Sequence, residues 1–176
     1  MDLDFQVREF RESDEAAARE LVLEGLGERF GFIDATLNPD LHTIAAHYPH
    51  QGHLFLVAES GAGLIGTTGL VFEASDRARL VRVSVDRSAR RCGVARALLA
   101  RATERASVRG VLELRVATQP EWEDAVAFYR AEGFGPYDRD PVDVHLRRFL
   151  TAPGSVRPPG PRTDRSVDPI LPEEAP

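Results

Sequence analysis

The chain contains no lysine, because all 22 of its basic residues are arginines. Without lysine, no side-chain amine can form a Schiff base, and the phosphate-contacting lysine of a P-loop is missing. Kinases and P-loop NTPases that depend on that lysine are therefore excluded.

Cysteine and long apolar runs are equally scarce. Cys92 is the single cysteine, so no intrachain disulfide can form, which fits a reducing cytoplasmic environment. No apolar run is long enough to span a bilayer, and the acidic start at residues 1–4 does not resemble a signal peptide. With a net charge of −6, the protein is not expected to bind nucleic acid or an anionic membrane.

A strand, a glycine turn and a helix follow one another in the middle of the chain. Residues 80–85 alternate apolar and polar side chains as a half-buried strand does, and strong helix formers begin at Val94. Gly93 lets the backbone approach a ligand, and the free N–H groups of a helix start attract anions. With Arg90 and Arg91 alongside, the pattern predicts a phosphate-binding turn.

A second unit of the same kind lies further along the chain. Residues 111–117 form another alternating strand, and a helical run over residues 121–132 follows Pro120. Gly133 is suited to end that helix, and Phe134 is predicted to begin the next strand.

Together these two units resemble the GNAT superfamily of acetyl-CoA-dependent N-acetyltransferases. The first matches the family's pyrophosphate loop, Gln/Arg-x-x-Gly-x-Gly/Ala, at Arg90, Gly93 and Ala95. The second matches its Ala-x-x-Phe/Leu-Tyr-x-x-x-Gly-Phe signature, in which Tyr129 is the tyrosine. The resemblance covers roughly residues 5–150 and is strongest over residues 80–134.

The element order predicts an α+β fold, and the resemblance implies a GNAT fold with a mixed, mostly antiparallel sheet. Its two central parallel strands, residues 80–85 and 111–117, would splay apart to admit acetyl-CoA. Ser13 is expected to cap a first helix that ends near Gly25. The other predicted elements are strand 5–10, a glycine-rich loop over 25–34, a short helix from Pro39 to about Tyr48, a hairpin of strands 54–59 and 64–72, and a closing strand 142–150.

The resemblance also implies which residues bind acetyl-CoA, the expected acyl-donor cosubstrate. Backbone groups of Val83 and Val85 would contact the pantetheine arm, and the turn would hold the pyrophosphate. The predicted cofactor-binding residues are Val83, Ser84, Val85, Arg90, Arg91, Cys92, Gly93, Val94, Ala95, Arg96, Trp122 and Phe128.

Tyr129 is the residue expected to take part in the chemistry. A phenol has an unperturbed pKa near 10, so it can donate a proton at neutral pH. In matching family members this tyrosine protonates the departing thiolate of coenzyme A. The alternative for an isolated tyrosine is a ring packed in the core.

Two family features are missing. Trp122 stands where many members carry an asparagine that contacts the cofactor arm, and Arg79 stands near the position of a glutamate that acts as a base. The base is therefore not identified. Glu73 and Asp76 are candidates, a water molecule relaying to a backbone carbonyl is another, and we hypothesise that no single base is essential.

The amine acceptor is expected near the first interhelical loop and the last strand pair. Arg29 would bind a carboxylate and Asp34 an ammonium, which suits an amino-acid-like substrate, although loop charges solvated by water are an alternative. The predicted substrate-binding residues are Arg29, Phe30, Phe32, Asp34 and Tyr137, with Glu28 and Arg139 close by.

No metal site is predicted. His47, His50 and His53 recur at short intervals around Pro49, but this spacing does not bring ligands to one point. Cys92 is interpreted as a packing residue of the loop, because direct acetyl transfer requires no nucleophilic thiol.

The chain divides into a domain over residues 1–150 and a tail over residues 151–176. The tail holds seven of the twelve prolines and no aromatic residue, so it is predicted to be extended or disordered.

The predicted function is transfer of acetyl from acetyl-CoA to an amine. A catalytically silent domain that binds acetyl-CoA as a sensor or scaffold is one alternative, and a transferase using another acyl group or a hydroxyl acceptor is another. A homodimer is expected only from the general frequency of such assemblies.

Overall fold

Seven strands form one sheet in the computed structural model, which describes residues 3–151. The strands are β1 (Phe5–Glu9), β2 (Leu54–Ser60), β3 (Gly63–Ala74), β4 (Arg77–Val85), β5 (Glu113–Thr118), β6 (Gly135–Arg139) and β7 (Val144–Phe149). Their order is β1-β2-β3-β4-β5-β7-β6, and only β4 and β5 run parallel. The predicted α+β class with a mixed, mostly antiparallel sheet is confirmed.

Helices cover both faces of the sheet. They are α1 (Glu15–Phe30), α2 (Ile44–His47), α3 (Val94–Val108) and α4 (Glu123–Ala131). Leu98 and Ala102 of α3 are fully buried in the larger core, which includes Leu114 and Leu146 of the sheet. A second core joins α1 and α2 to the opposite face of β2. The two sheet faces are called below the α3 face and the α1 face.

The two parallel strands separate after a short paired stretch. Arg77–Arg79 pair with Glu113–Arg115, and no pairing between β4 and β5 continues beyond these residues. The opening between residues 80–85 and 116–118, which we call the splay, agrees with the predicted gap. It occurs where β4 contains an extra residue relative to β3, between Val81 and Ser84.

The first helix is longer than predicted, and Ser13 is not its cap. Ser13 lies inside a 3₁₀ turn over residues 12–14, and α1 continues through Gly25 and Gly27 to a left-handed Gly31 with φ of 76°. These glycines permit close packing rather than ending the helix, because a Cβ on Gly25 would collide with Ser84 Oγ and one on Gly27 with Ile33. The predicted loop over residues 25–34 is therefore mostly helix.

The predicted helix from Pro39 to Tyr48 is also wrong in part. It is divided into a 3₁₀ turn over residues 39–42 and α2, with Thr43 between them in a non-helical conformation. The remaining helices and strands agree with their predicted positions apart from shifts at the ends. The predicted Pro-rich tail, from residue 152 onward, lies outside the described residues.

An ion pair holds the start of α1 against β1. Nη1 and Nη2 of Arg8 donate to the Asp14 carboxylate at 2.7 and 2.9 Å, and the Arg11 N–H donates to it at 2.8 Å. The two side chains are only 13% and 9% exposed. The hydrogen bonds from Arg8 lower the pKa of Asp14.

We expect Asp14→Asn to reduce the free energy of unfolding by about 2 kcal/mol near neutral pH, because the buried Arg8 guanidinium loses one of its two carboxylate partners and keeps only Glu59. Since the pKa of Asp14 is lowered by folding, its contribution is present above the unfolded pKa of about 4 and is lost as pH falls through the folded pKa. Urea unfolding should therefore show a difference in the free energy of unfolding between the wild type and Asp14→Asn that becomes smaller in acid. Asp4→Asn, at an exposed position, serves as the control, and an equal loss in that variant would contradict the assignment.

None of the described helices combines the length and the apolar character needed to cross a lipid bilayer.

Candidate functional site

The turn between β4 and α3 presents free backbone N–H groups to solvent. Gly93 has a φ of 82° and directly precedes α3. The Ala97 N–H donates to the Gly93 carbonyl at 2.9 Å, so the amides of residues 94–96 precede the first hydrogen bond of the helix. A Cβ on Gly93 would meet no atom within 4 Å. The turn is therefore open and has the geometry of an anion site.

The basic residues of this turn differ in how they are held. Arg90 bonds the Val85 carbonyl at 3.1 Å and pairs with Glu28 of α1. Arg91 adopts a positive φ of 64° and is exposed. Arg96 pairs with Glu132 at 2.7 Å but is itself 71% exposed. An exposed pair of this kind contributes little stability and can exchange partners when an anion binds.

Cys92 is exposed, so the expectation that it packs the loop is wrong. Its Sγ lies 3.6 Å from the Arg90 carbonyl. The strongly turned backbone around Arg91 and Gly93 directs this side chain to solvent.

The edge of β4 that faces the splay offers backbone groups to a ligand. On its other side β4 pairs with β3, where Val85 lies opposite Gly66. Val83 and Val85 are partly buried against the larger core, so packing and a backbone role coexist at both positions. The Ser84 hydroxyl donates to the Leu21 carbonyl of α1 at 3.2 Å and therefore faces away from the α3 face.

Arg82 forms the bulge of β4, and no sequence pattern indicated its role. It has a φ of 52°, a strained value for a residue with a side chain. Its guanidinium Nε donates to Asp40 at 2.9 Å and Nη1 donates to Asn38 at 2.8 Å, while the Tyr48 hydroxyl donates to the same Asp40 at 2.6 Å. This network fixes the bulge to the segment before α2, which holds the splayed part of β4 in place.

Tyr129 lies at the bottom of a narrow crevice on the α3 face of the splay. The crevice is enclosed by side chains of β3, β4, α3 and α4, and its lining residues are Thr68, Leu80, Val83, Ala95, Leu98, Leu99, Phe128 and Tyr129. Tyr129 is 5% exposed, and its ring contacts Phe128 and Phe134 edge-to-face at 5.2 and 5.6 Å. The predicted phosphate turn and the predicted tyrosine thus meet at one crevice.

Burial raises the pKa of the Tyr129 phenol well above its usual value. A raised pKa keeps the phenol protonated throughout the neutral range, so this group is able to donate a proton and cannot accept one as a base.

A pair of contacts joins the end of α1 to the start of α4. Arg29 binds the Asp124 carboxylate with two hydrogen bonds at 2.6 and 2.7 Å and lies 5.1 Å from the Trp122 ring. Phe30 contacts the same ring at 5.3 Å. We call Arg29, Phe30, Trp122 and Asp124 the clasp. Arg29 is therefore already bonded to a carboxylate of the protein and is not the free anion site that the sequence predicted.

The other predicted acceptor residues lie apart from one another. Asp34 accepts hydrogen bonds from the Thr36 N–H and hydroxyl, which lower its pKa, so it closes its own turn. Phe32 is 58% exposed beside the clasp. Tyr137 lies on β6 between the guanidinium groups of Arg115 and Arg147, at 4.9 and 5.2 Å.

The two candidate bases are at the wrong end of the sheet. Glu73 pairs with Arg79 at 2.6 Å, at the level where β4 and β5 are still hydrogen-bonded. The carbonyl of Asp76 accepts the N–H groups of Leu112 and Glu113, and its side chain is exposed beyond that paired end. Neither position places a carboxylate in the splay, because both precede the point at which the strands separate.

The three histidines near Pro49 bind separate partners. His47 contacts Thr43, His53 Nδ1 accepts the Phe72 N–H at 3.2 Å, and His50 lies 3.8 Å from Glu12. Within residues 3–151, no group of three His, Cys, Asp or Glu side chains is arranged to hold a metal ion.

The site has the donors that a nucleotide thioester requires. Free amides and exposed arginines at the start of α3 fit a diphosphate, and the free edge of β4 fits an arm that contains amide groups. The crevice beside Tyr129 is lined mostly by apolar side chains, and it would have to open to admit the thioester end of that arm.

Comparisons with known proteins agree with this arrangement. The family model described as an acetyltransferase (GNAT) domain matches residues 49–136. An acetyltransferase of the GNAT family from Staphylococcus aureus MU50 aligns with a TM-score of 0.78 at 22% identity, covering 84% of this chain and 100% of that chain. The PaiA N-acetyltransferase from Thermoplasma acidophilum, solved in complex with coenzyme A, aligns with a TM-score of 0.73 at 19% identity. The alignment covers 84% of this chain and 100% of that chain.

A ribosomal-protein-alanine N-acetyltransferase from Brucella melitensis gives a TM-score of 0.69 at 21% identity, covering 82% of this chain and 99% of that chain. At these identities the likeness establishes the fold. No curated protein matched the chain by sequence.

Proposed function

This chain belongs to the GNAT family of acetyltransferases, whose acyl donor is acetyl-CoA, and from that premise we propose that it transfers the acetyl group directly to a primary amine of a small molecule or a protein. One observation carries the proposal. The free amides of the α3 start, the unpaired edge of β4 and the Tyr129 phenol all border one crevice at the splay.

The chain's own groups divide the binding of acetyl-CoA between them. The amides of residues 94–96 hold the diphosphate, and Arg91 and Arg96 add positive charge beside it. Backbone groups of Val83 and Val85 orient the arm along β4. Phe128 packs against the arm and excludes water from the reacting end.

Transfer then requires one bond to form and one to break. The amine nitrogen attacks the thioester carbonyl, a C–N bond forms, and the C–S bond breaks. Tyr129 donates its phenolic proton to the departing thiolate, and the nitrogen gives up a proton to a base. The phenol suits this role because its burial keeps it protonated.

The acceptor approaches from the α1 face in this proposal. The clasp and Phe32 form an aromatic rim there, with Asp34 at the loop and Tyr137 on the opposite side. Arg29 can contact an acceptor carboxylate only by releasing Asp124. Since that ion pair is 35% and 71% exposed, its rupture costs little.

Calorimetric titration with acetyl-CoA, followed by assays of thiol release with tyramine, spermidine and an alanine-initiated peptide, tests the proposal. We expect micromolar binding and turnover that depends on the amine. Binding without turnover of any amine supports the alternative of a silent acetyl-CoA sensor. Turnover only with a hydroxyl acceptor or another acyl-CoA supports a transferase with a different acceptor or acyl group. If the folded protein does not bind acetyl-CoA, the amine transferase, the sensor and this third alternative are all rejected.

We further propose that the protein works in the cytoplasm, which suits an exposed, unpaired Cys92 thiol. Cell fractionation tests this location. The expected homodimer stays a prediction that light scattering can measure.

A further inference from the structure

An imidazole and a carboxylate form a pair next to the splay, on the side from which an acceptor would approach. His145 of β7 lies opposite Ala117 of β5, and Arg147 lies opposite Arg115. These positions alternate with Val116 and Leu146, which are buried in the core of the α3 face. His145 therefore projects from the α1 face, where its side chain is 20% exposed.

Asp140, in the turn between β6 and β7, holds the imidazole in one orientation. Its Oδ2 lies 2.8 Å from His145 Nε2, and its Oδ1 accepts the N–H groups of Val142 and Asp143 at 2.8 and 2.7 Å. The backbone N–H of Asp143, the His145 ring and the backbone N–H of Val142 lower the pKa of Asp140 to about 2. The carboxylate is thus fixed by its own turn and stays charged at neutral pH.

This geometry selects the tautomer of the neutral ring. An ionised carboxylate can only accept hydrogen bonds, so Nε2 must carry the proton that faces Asp140. The lone pair then lies on Nδ1. Within residues 3–151, His145 Nδ1 has no hydrogen-bond partner, so it is available to a molecule from outside the chain.

The position along the sheet brings Nδ1 within reach of the splay. Pairing between β4 and β5 ends at Arg115, and Ala117 lies two residues beyond it, inside the opening. His145 is on the strand next to Ala117, about 5 Å away between backbones. One strand, β5, separates His145 from the splay, so an amine that extends over the small Ala117 side chain on the α1 face would meet Nδ1 directly or through one water molecule.

We propose that His145, oriented by Asp140, is the general base that deprotonates the acceptor amine. This inference rests on the proposed acetyl transfer and names the base that Glu73 and Asp76 do not supply. Nδ1 takes a proton from the ammonium nitrogen, the freed lone pair attacks the thioester carbonyl, and Tyr129 protonates the thiolate as the C–S bond breaks. The nitrogen of the new amide loses its second proton to water, and the Tyr129 phenolate regains a proton from solvent. The imidazolium then loses its proton to solvent, which restores the neutral ring.

Several charged or titratable groups surround His145 and must be separated from it in any pH study. None of these surrounding residue types ordinarily changes charge between about pH 5 and 8. These groups are Arg115 on β5, Tyr137, Asp138 and Arg139 on β6, Asp140 in the turn, and Asp143 and Arg147 at or on β7.

Nitrogen-15 NMR of the histidine rings tests the geometry without any acceptor. The His145 signal, assigned by its loss in His145→Gln, should show a proton on Nε2 and a lone pair on Nδ1 near pH 8. Asp140→Asn should convert it to a mixture of tautomers. A proton found predominantly on Nδ1 would overturn the proposal, because that nitrogen could not accept the amine proton.

The pH dependence of kcat/KM, measured with the amine that the wild type turns over fastest, tests the chemistry. We expect kcat/KM to rise with pH in the wild type, and in His145→Gln we expect about a 100-fold loss and no such rise. The kcat/KM of Asp140→Asn should lie between those of the wild type and His145→Gln. In both variants the Kd for acetyl-CoA should stay within about threefold of the wild-type value. His50→Gln, on an exposed ring, is the control.

The outcomes separate the two proposals. If His145→Gln and Asp140→Asn are both folded and active within threefold of the wild type, His145 is not the base. If kcat/KM of either variant is lower but still rises with pH as in the wild type, these residues have a structural role only. No turnover of any amine by a wild type that binds acetyl-CoA rejects the proposed transfer and the role of His145 with it.

Discussion

Replacing Gly93 with Glu is expected to weaken acetyl-CoA binding by about three orders of magnitude, roughly 4 kcal/mol. A carboxylate at the start of α3 would occupy the space in which the diphosphate meets the free amides of residues 94–96. It would also repel the diphosphate charge and satisfy N–H groups that the ligand needs. Calorimetric titration of acetyl-CoA into wild type and variant measures the loss directly.

The chain offers a matched control at the other end of the same helix. Gly110 follows α3 with a φ of 80°, against 82° at Gly93, and a Cβ at either position would meet no atom within 4 Å. Gly110→Glu therefore carries a similar backbone strain, of about 1–2 kcal/mol, without approaching the ligand. Equal losses of affinity in the two variants would show that strain, and not the anion site, is responsible.

Replacing Tyr129 with Phe is expected to lower kcat for acetyl transfer by about 1000-fold while acetyl-CoA affinity stays nearly constant. The phenyl ring keeps the edge-to-face contacts with Phe128 and Phe134, so only the hydroxyl is lost. Without a proton donor, the thiolate must leave as an anion from an apolar crevice. Thiol release at saturating acetyl-CoA measures kcat.

The pH dependence and a second tyrosine make this prediction specific. Burial raises the pKa of Tyr129, so the protonated donor persists and wild-type kcat should not decline between about pH 7 and 9. Tyr48→Phe removes one hydrogen bond to Asp40, away from the crevice, but keeps the two that Asp40 accepts from Arg82, so kcat should stay within about threefold. A Tyr129→Phe enzyme as active as Tyr48→Phe would mean that the thiolate needs no acid.

The parts of the site that were predicted from the sequence are formed by residues that are close together along the chain. The turn at Gly93, the helix that follows it and the glycine that ends α4 depend on backbone conformations, which Gly93 and Gly133 adopt with φ of 82° and 86°. The strands β4 and β5 and the helices α3 and α4 are continuous segments of at most 15 residues, so periodicity was sufficient to find them. The family's two motifs then placed Tyr129 beside the turn.

The remaining parts depend on residues that meet only in the folded chain. Gly25 and Gly27 appeared to end a helix, but their role is set by close packing against Ser84 and Ile33. Arg29 appeared available to a substrate until folding placed it against Asp124, 95 residues away.

Arg82 and His145 carry no local signal either. Arg82 gains its role from a bulge in β4 and from Asp40, and His145 gains its role from strand register and a turn. A single sequence does not encode such pairings in any short window.

The early end of pairing between β4 and β5 divides the sheet into two lobes, although both lobes share the core under α3. One lobe, β1–β4, and a second lobe, β5–β7, share only three rungs of backbone ladder at the centre of the sheet. The clasp links the lobes at the far end through an exposed ion pair and one aromatic contact. A ligand whose amides bonded the free edge of β4 would take the place of the missing pairs, so the sheet would be continuous only while that ligand is bound.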